Sequence, residues 1–267
     1  GERRKMDIRL EGRAALITGG SQGLGKGMAI RFAESGADIA ILARRPDALT
    51  AAKAEIEAVS KGKVITLPCD LLDAAATKAA FAETETALGK IDILVNNAGT
   101  SRAKKFETVT DEEWAEDIEL KLMAAIRLCR AALPGMKERK WGRIINVLNI
   151  GAKAPRAGSA PTAVSRAAGL ALTKVLAGDG APHNVLVNAL MVGLIKSGQW
   201  ETAFEKSGSN DSYEVFTQNM ADGRNIPLGR IGETGEFANI ACFLASDHAG
   251  YITGTSINVD GGASPVV

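Results

Sequence analysis

Cysteine is scarce in this 267-residue chain. Cys69, Cys129 and Cys242 are odd in number and far apart, which excludes a disulfide framework and a CxxC metal knuckle. Histidine is scarcer: His183 and His248 leave no cluster for a His-based metal site, so no metal is expected. Charge of one sign is also missing. The 32 Lys+Arg against 31 Asp+Glu leave +1, which argues against a nucleic-acid partner held by bulk charge. No apolar run approaches the ~20 residues that span a bilayer, so no membrane contact is expected. The segment Gly1-Glu2-Arg3-Arg4-Lys5 has no apolar stretch behind it and does not read as a secretory signal. A cytoplasmic location is expected. Residues 1–9 are read as an N-terminal extension, with Met6 a candidate natural start.

What the chain does have is a hydrophobic fraction of 46%, enough for a sizeable core, and 29 glycines. Short β-branched runs alternate with Ala-rich helical stretches. Strands are predicted at 14–17, 38–43, 64–67, 91–95, 142–149, 185–190 and 255–259. Helices are predicted at 23–35, 47–60, 74–88, 111–136, 161–177 and 233–245. The long helix at 111–136 is predicted to start at a Thr110 cap and to be interrupted near Pro134-Gly135. Strands buried on both faces and alternating with helices imply a parallel sheet wrapped by helices, a doubly wound α/β fold. No repeat, low-complexity tract or linker divides it, so one domain is expected over residues 1–267. Residues 193–227 fall outside the rhythm and carry Trp200, Phe204, Tyr213, Phe216 and Met220. A long irregular insertion after a strand's carboxyl end reads as a substrate lid.

Between the first strand and first helix runs Thr18-Gly19-Gly20-Ser21-Gln22-Gly23-Leu24-Gly25. Glycines at 19, 23 and 25 permit a tight turn and bring backbone N–H groups to a pyrophosphate, where the helix N-terminus adds favourable partial charge. The strand-to-helix context turns a weak glycine pattern into a dinucleotide site. The second strand ends in Arg44-Arg45, where a site for NAD usually carries an acid for the ribose hydroxyls. Arginine suits the extra 2′-phosphate, so NADP(H) is expected in preference to NAD(H). Asp70 could accept from an adenine amine or cap a helix.

With Asn96-Asn97-Ala98-Gly99 and Asn258-Val259-Asp260-Gly261-Gly262, these motifs resemble the short-chain dehydrogenase/reductase family, nearest its 3-oxoacyl-carrier-protein reductase-like group, from Leu10 to Gly262. The resemblance implies a three-layer αβα Rossmann fold with a seven-stranded sheet, a nicotinamide cofactor and a homotetramer or homodimer. It also implies cofactor contacts from Gly19, Ser21, Gln22, Gly23, Leu24, Gly25, Arg44, Arg45, Asp70, Leu71, Asn97, Ala98, Gly99, Arg166, Gly193, Ile195 and Ser197.

The chemistry of that family rests on Asn, Ser, Tyr and Lys. Ungapped alignment through 143–147 and 166–169 puts Asn149 at the Ser position, Thr162 at the Tyr position and Arg166 at the Lys position. Alignment back from 131–134 puts Lys121 at the Asn position. All four are then changed. Threonine cannot delocalise an alkoxide as a phenol can, and Arg, with pKa above ~12, cannot relay a proton. Lys121 is the one titratable group with a useful pKa among the four; its alternative is a structural amine. Asn149 can polarise a carbonyl, Thr162 can donate one hydrogen bond and Arg166 can hold the nicotinamide ribose.

Other residues have blander readings: Tyr213 as lid packing, Tyr251 as packing or interface, His183 as surface loop, Trp114 and Trp141 as packing. Lys153 and Arg156 belong either to a solvated loop or to an acidic-substrate site. Three functions stay open: an NADP-dependent oxidoreductase acting on small carbonyls or alcohols with an altered acid–base set, a non-redox enzyme, and a silent NADP(H)-binding protein.

Overall fold

The computed structural model describes residues 7–208 and 211–267, so Met6 and most of the expected N-terminal extension lie outside the described residues. Seven strands form one parallel sheet: β1 (Ala14–Thr18), β2 (Asp38–Ala43), β3 (Val64–Pro68), β4 (Ile93–Asn96), β5 (Gly142–Asn149), β6 (Val185–Val192) and β7 (Ser256–Val259). Their order is β3-β2-β1-β4-β5-β6-β7. The register is regular, with Leu16 beside Ala40 and Leu94, and Asn96 beside Asn146.

Helices cover both faces: α1 (Gly23–Glu34), α2 (Pro46–Glu57), α3 (Ala74–Leu88), α4 (Asp111–Ile118), α5 (Ala124–Glu138), α6 (Thr162–Gly180), α7 (Gly198–Ser207), α8 (Tyr213–Gly223) and α9 (Thr234–Ala245). Strand alternation sorts the core into two layers. Ala15, Ile17, Ile39, Ile41, Ile93 and Val95 pack against Phe32 of α1, Leu49 of α2 and Phe237 of α9. Ala14, Leu16, Ala40, Leu42 and Leu94 face Phe81 of α3, Leu128 of α5 and Ala177 of α6. Both faces of each central strand are therefore dry, as their unbroken apolar runs anticipate.

The sequence reading needs two corrections. The helical stretch from Asp111 is not broken at Pro134, which lies inside α5. Its missing N–H orphans the carbonyl of Arg130, an exposed residue that water can reach. The irregularity is instead a π-helical turn at Glu119–Met123, which joins α4 to α5. Nor is 193–227 irregular throughout: α7 and α8 occupy much of it. Their rings form a cluster, with Phe204 centroids 5.5 Å from Tyr213 and 5.3 Å from Phe216.

The three thiols are buried and unbridged. Burial pushes the Cys129 thiol up to about 12, while the Asn96 amide donating to Sγ opposes the shift weakly. Burial also raises Cys69 and Cys242. A colorimetric disulfide reagent is therefore expected to find less than one reactive thiol per native chain and all three in guanidinium. Rapid native titration of all three would contradict this burial.

Candidate functional site

The chain runs outward from β1 to β2 and β3, then returns to lay β4 on the other side of β1. This is the topological switch point, and the loops after β1 and β4 leave the sheet there side by side. Thr18 ties them together. Its Oγ1 accepts from Asn97 N at 2.9 Å and Ala98 N at 3.0 Å, while Asn97 Nδ2 donates to the carbonyls of Thr18 and Gly19 at 3.0 and 3.3 Å. Gly19 and Gly23 adopt φ of +64° and +54°, where L side chains are strained. A Cβ on Gly25 would lie 2.1 Å from the Gly19 carbonyl, so Gly25 lets α1 start against the turn rather than facing the open cleft.

A cleft of about 710 Å³ opens above these loops. Gly19, Ser21, Gln22, Gly23 and Leu24 line one wall; Asn97, Ala98 and Gly99 line its floor. Arg44, Arg45, Asp70 and Leu71 also line it, as do Gly193, Ile195, Ser197 and Trp200 from the segment after β6. The two arginines differ. Arg45 pairs with Asp47 at 2.6 Å at the exposed start of α2. Arg44 stands over the cleft within electrostatic reach of Glu116. Asp70 accepts from Leu72 N at 3.1 Å, while the cap of α3 is Asp73.

Asn149, Thr162 and Arg166 line the same cleft. The Arg166 guanidinium donates to Val147 O at 2.8 Å, and its buried Nε has no partner. Burial lowers its pKa and the charge of Asp117 opposes that. The side-chain oxygen of Asn149 is also buried without a partner. Gly99 leaves room for both cations: a Cβ there would meet Arg166 Nη2 at 3.2 Å and Lys121 Cγ at 3.3 Å.

Lys121 does not line the open cleft. It lies behind it on the π turn, with its side chain 2% exposed. Nζ donates to Asp117 Oδ1 and, at 2.9 Å, to Thr162 Oγ1. Asp117 Oδ2 accepts from Ser165 Oγ at 2.6 Å. Burial lowers the Lys121 pKa; the Asp117 hydrogen bond and charge oppose this, and the charges of Arg166 and Arg102 add to the lowering. Because the ammonium can only donate, the hydroxyl proton of Thr162 is directed away from it. The arrangement presents an O–H at the cleft with a buried cation behind.

Sequence reading missed Asp117 and Ser165. The spacing of Asp117 and Lys121, four apart on a helical stretch, carried a signal for the pair; Ser165 carried none. Tyr213 stacks within the aromatic cluster of α7 and α8, Tyr251 is fully exposed and His183 is exposed beyond α6. Trp141 packs under the guanidinium groups of Arg13 and Arg143. Neither proposed reading of Lys153 matches its position: Nζ donates to Ser256 O at 3.0 Å and Asn258 Oδ1 at 2.9 Å, which ties the loop after β5 to β7. Arg156 remains exposed at the cleft. Among the described residues no His/Cys/Asp/Glu group could hold a metal, and no helix is long and apolar enough to cross a membrane.

A family model described as enoyl-(acyl carrier protein) reductase matches residues 19–264. The chain is 36% identical to oxidoreductase UcpA of Salmonella typhimurium, covering 96% of each. It is 33% identical to 3-oxoacyl-[acyl-carrier-protein] reductase FabG of Aquifex aeolicus, covering 96% of this chain and 99% of that one. This chain belongs to the short-chain dehydrogenase/reductase family. Its fold overlays L-sorbose reductase from Gluconobacter frateurii, solved with NADPH and L-sorbose, with TM-score 0.92 and 34% identity over 98% of this chain and 100% of that one. It overlays an NADPH-bound short-chain oxidoreductase from Pseudomonas aeruginosa, described as containing an atypical catalytic center, with TM-score 0.90 and 35% identity over 97% and 100% of the two chains.

The loop tie makes a stability prediction. Thr18→Val keeps the shape of a residue 1% exposed but leaves two backbone N–H groups without their acceptor. A fully buried orphan costs about 1–3 kcal/mol, and these two are half-buried beside the cleft, so a loss of about 1 kcal/mol or more is expected. Denaturant unfolding should show that loss, and a change below about 0.5 kcal/mol would rule out the tie.

Proposed function

We propose that this protein is an NADP(H)-preferring oxidoreductase of small carbonyls or alcohols whose acid–base set departs from the family's Asn, Ser, Tyr and Lys at all four positions. One observation carries the reading: the Thr162 hydroxyl lines the cleft and takes a 2.9 Å hydrogen bond from a buried ammonium. The glycine turn, the Gly25 contact and the unpartnered Arg166 Nε fit a dinucleotide lying from Arg44 to Arg166. NADPH in the solved structures of the relatives supports that cofactor.

When bound, a dihydronicotinamide would supply hydride to a carbonyl carbon. Backbone N–H groups of the glycine turn and the α1 N-terminus would hold the pyrophosphate. Arg44 would take the 2′-phosphate, with Arg45 beside it, and Asp70 and Leu71 would flank the adenine. Asn97, Ala98, Gly99, Gly193, Ile195 and Ser197 would border the nicotinamide half, and Arg166 would hold its ribose. Asn149 and Thr162 would hold the substrate oxygen, and Lys121 would supply the proton through Thr162. The region 193–227, with Trp200 on the cleft, is proposed as the substrate lid of a single domain. Exposed Val164 and Val175 on α6 support a homodimer or homotetramer.

Isothermal titration should show tighter binding of NADPH than NADH. Arg44→Ala should weaken NADPH about ten- to hundredfold, the worth of a charge-assisted hydrogen bond, while NADH affinity holds. Equal binding of both cofactors by the wild type would overturn the preference. A panel of ketones, aldehydes and polyols followed by NADPH absorbance tests the activity itself.

The pH profile tests the proton source. The charged amine of Lys121 is the donor, so turnover should fall as pH rises through its titration. Burial lowers that titration, so the alkaline limb should lie below the ordinary lysine range of about 10.4. A Lys whose folded pKa is lowered leaves the unfolded state binding more protons in that window. Its contribution to stability therefore rises with pH there.

A second reading has its own support, since Tyr213 is packed in the lid and Tyr251 is exposed, leaving no phenol on the cleft. The protein would then bind NADP(H) without turnover. Asn149→Ser, Thr162→Tyr and Arg166→Lys together should then create activity; a native activity that these changes destroy would overturn this second reading.

A further inference from the structure

Asp117 is none of the family's Asn, Ser, Tyr and Lys positions, yet among the described residues it is the one carboxylate paired with buried Lys121. It is 3% exposed on α4 and joins three elements. One oxygen accepts from Lys121 Nζ on the π turn and the other from Ser165 Oγ on α6. Ser165 lies one turn beyond Thr162 on α6 and gives its one hydroxyl proton to Asp117, so Asp117 contacts both elements that carry the Lys121–Thr162 hydrogen bond. The charged groups facing Lys121 are Asp117 from α4, Arg166 from α6 and, farther off, Arg102 from the loop after β4. Arg102 is taken up by Glu116 through bonds of 2.8 and 2.7 Å.

We propose that Asp117 is a positioning residue that keeps the Lys121 amine charged and aimed at the Thr162 hydroxyl, so that Asp117, Lys121 and Thr162 form a proton line into the cleft. The inference rests on the reductase reading for its chemistry but not for its electrostatics. In the reductive direction the substrate oxygen gains a proton as hydride reaches its carbon. That proton leaves the Thr162 O–H, and an N–H bond of Lys121 breaks to restore it. Lys121 is left as a neutral amine against ionised Asp117. Solvent entering the cleft after product release returns a proton through the same hydroxyl. Before donation the buried Lys121, Arg166 and Asp117 carry one net positive charge; afterwards the charges of Arg166 and Asp117 balance. Donation is therefore favoured by Arg166 and restrained by Asp117, which holds the proton in place until a substrate oxygen arrives.

The test follows the Lys121 amine directly, by NMR of protein carrying 13C at lysine Cε, with Lys121→Met assigning its resonance. In the wild type the amine should be protonated at pH 7. Asp117→Asn should lower its titration by about one pH unit or more, as loss of a close opposite charge does, and Asp117→Glu should restore it. A wild-type amine neutral at pH 7, or a midpoint unmoved in Asp117→Asn, overturns the proposal. The wild-type measurement decides even where Asp117→Asn does not fold. Turnover is scored separately with the carbonyl panel. Asp117→Asn should reduce kcat about 10²–10⁴-fold, the usual worth of acid–base help, with KM within about threefold and the alkaline limb shifted by the same pH interval. Undiminished kcat would overturn the proton line. A wild type without turnover but with the expected coupled titration removes the reductase reading and leaves the Asp117 role standing.

Discussion

A lysine ammonium with 2% of its side chain exposed is costly to bury, and the region around it is arranged to meet that cost. Asp117 supplies the opposite charge and Thr162 takes a second hydrogen bond. Ser165 satisfies the far oxygen of the carboxylate. The π turn at Glu119–Met123 carries Lys121 inward between α4 and α5, a local widening of the kind often found at functional sites. Removing one partner would strand a charge that the surrounding helices cannot solvate.

The second constraint is the meeting of two loops at the switch point of the sheet. The hydroxyl of Thr18 and the amide of Asn97 satisfy backbone groups that would otherwise be orphaned where β1 and β4 end. Glycine at 25 then lets α1 begin against the turn, directing its N-terminal N–H groups at the cleft. The glycine turn is thus a product of backbone geometry, whereas the Lys121 cluster is a product of side-chain burial. The glycine turn and Thr162 line the same cleft, with Lys121 behind Thr162.

Much of the fold was legible because its signals are local. Short, largely apolar runs marked the strands, and β1, β2 and β5 lie within a residue of expectation. Pro134 misled because proline weakens a helix only where the carbonyl it orphans has no substitute, and Arg130 is exposed to water. The helices of 193–227 were missed because they are short and separated by glycine, so no long apolar period announces them.

The sequence by itself determined the alternation of elements, the glycine turn and the identities of Lys121, Asn149, Thr162 and Arg166, because each is a matter of residue type and order along the chain. Only the tertiary structure decided that Lys121 turns inward, that Asp117 and Ser165 join it, and that Lys153 is taken by β7 rather than left for a ligand. The physical reason is that an ionisable side chain takes its character from burial and from partners that can lie far along the chain, as Thr162 lies 41 residues from Lys121 and Asn258 105 residues from Lys153. Spacing along the chain does not encode those distances.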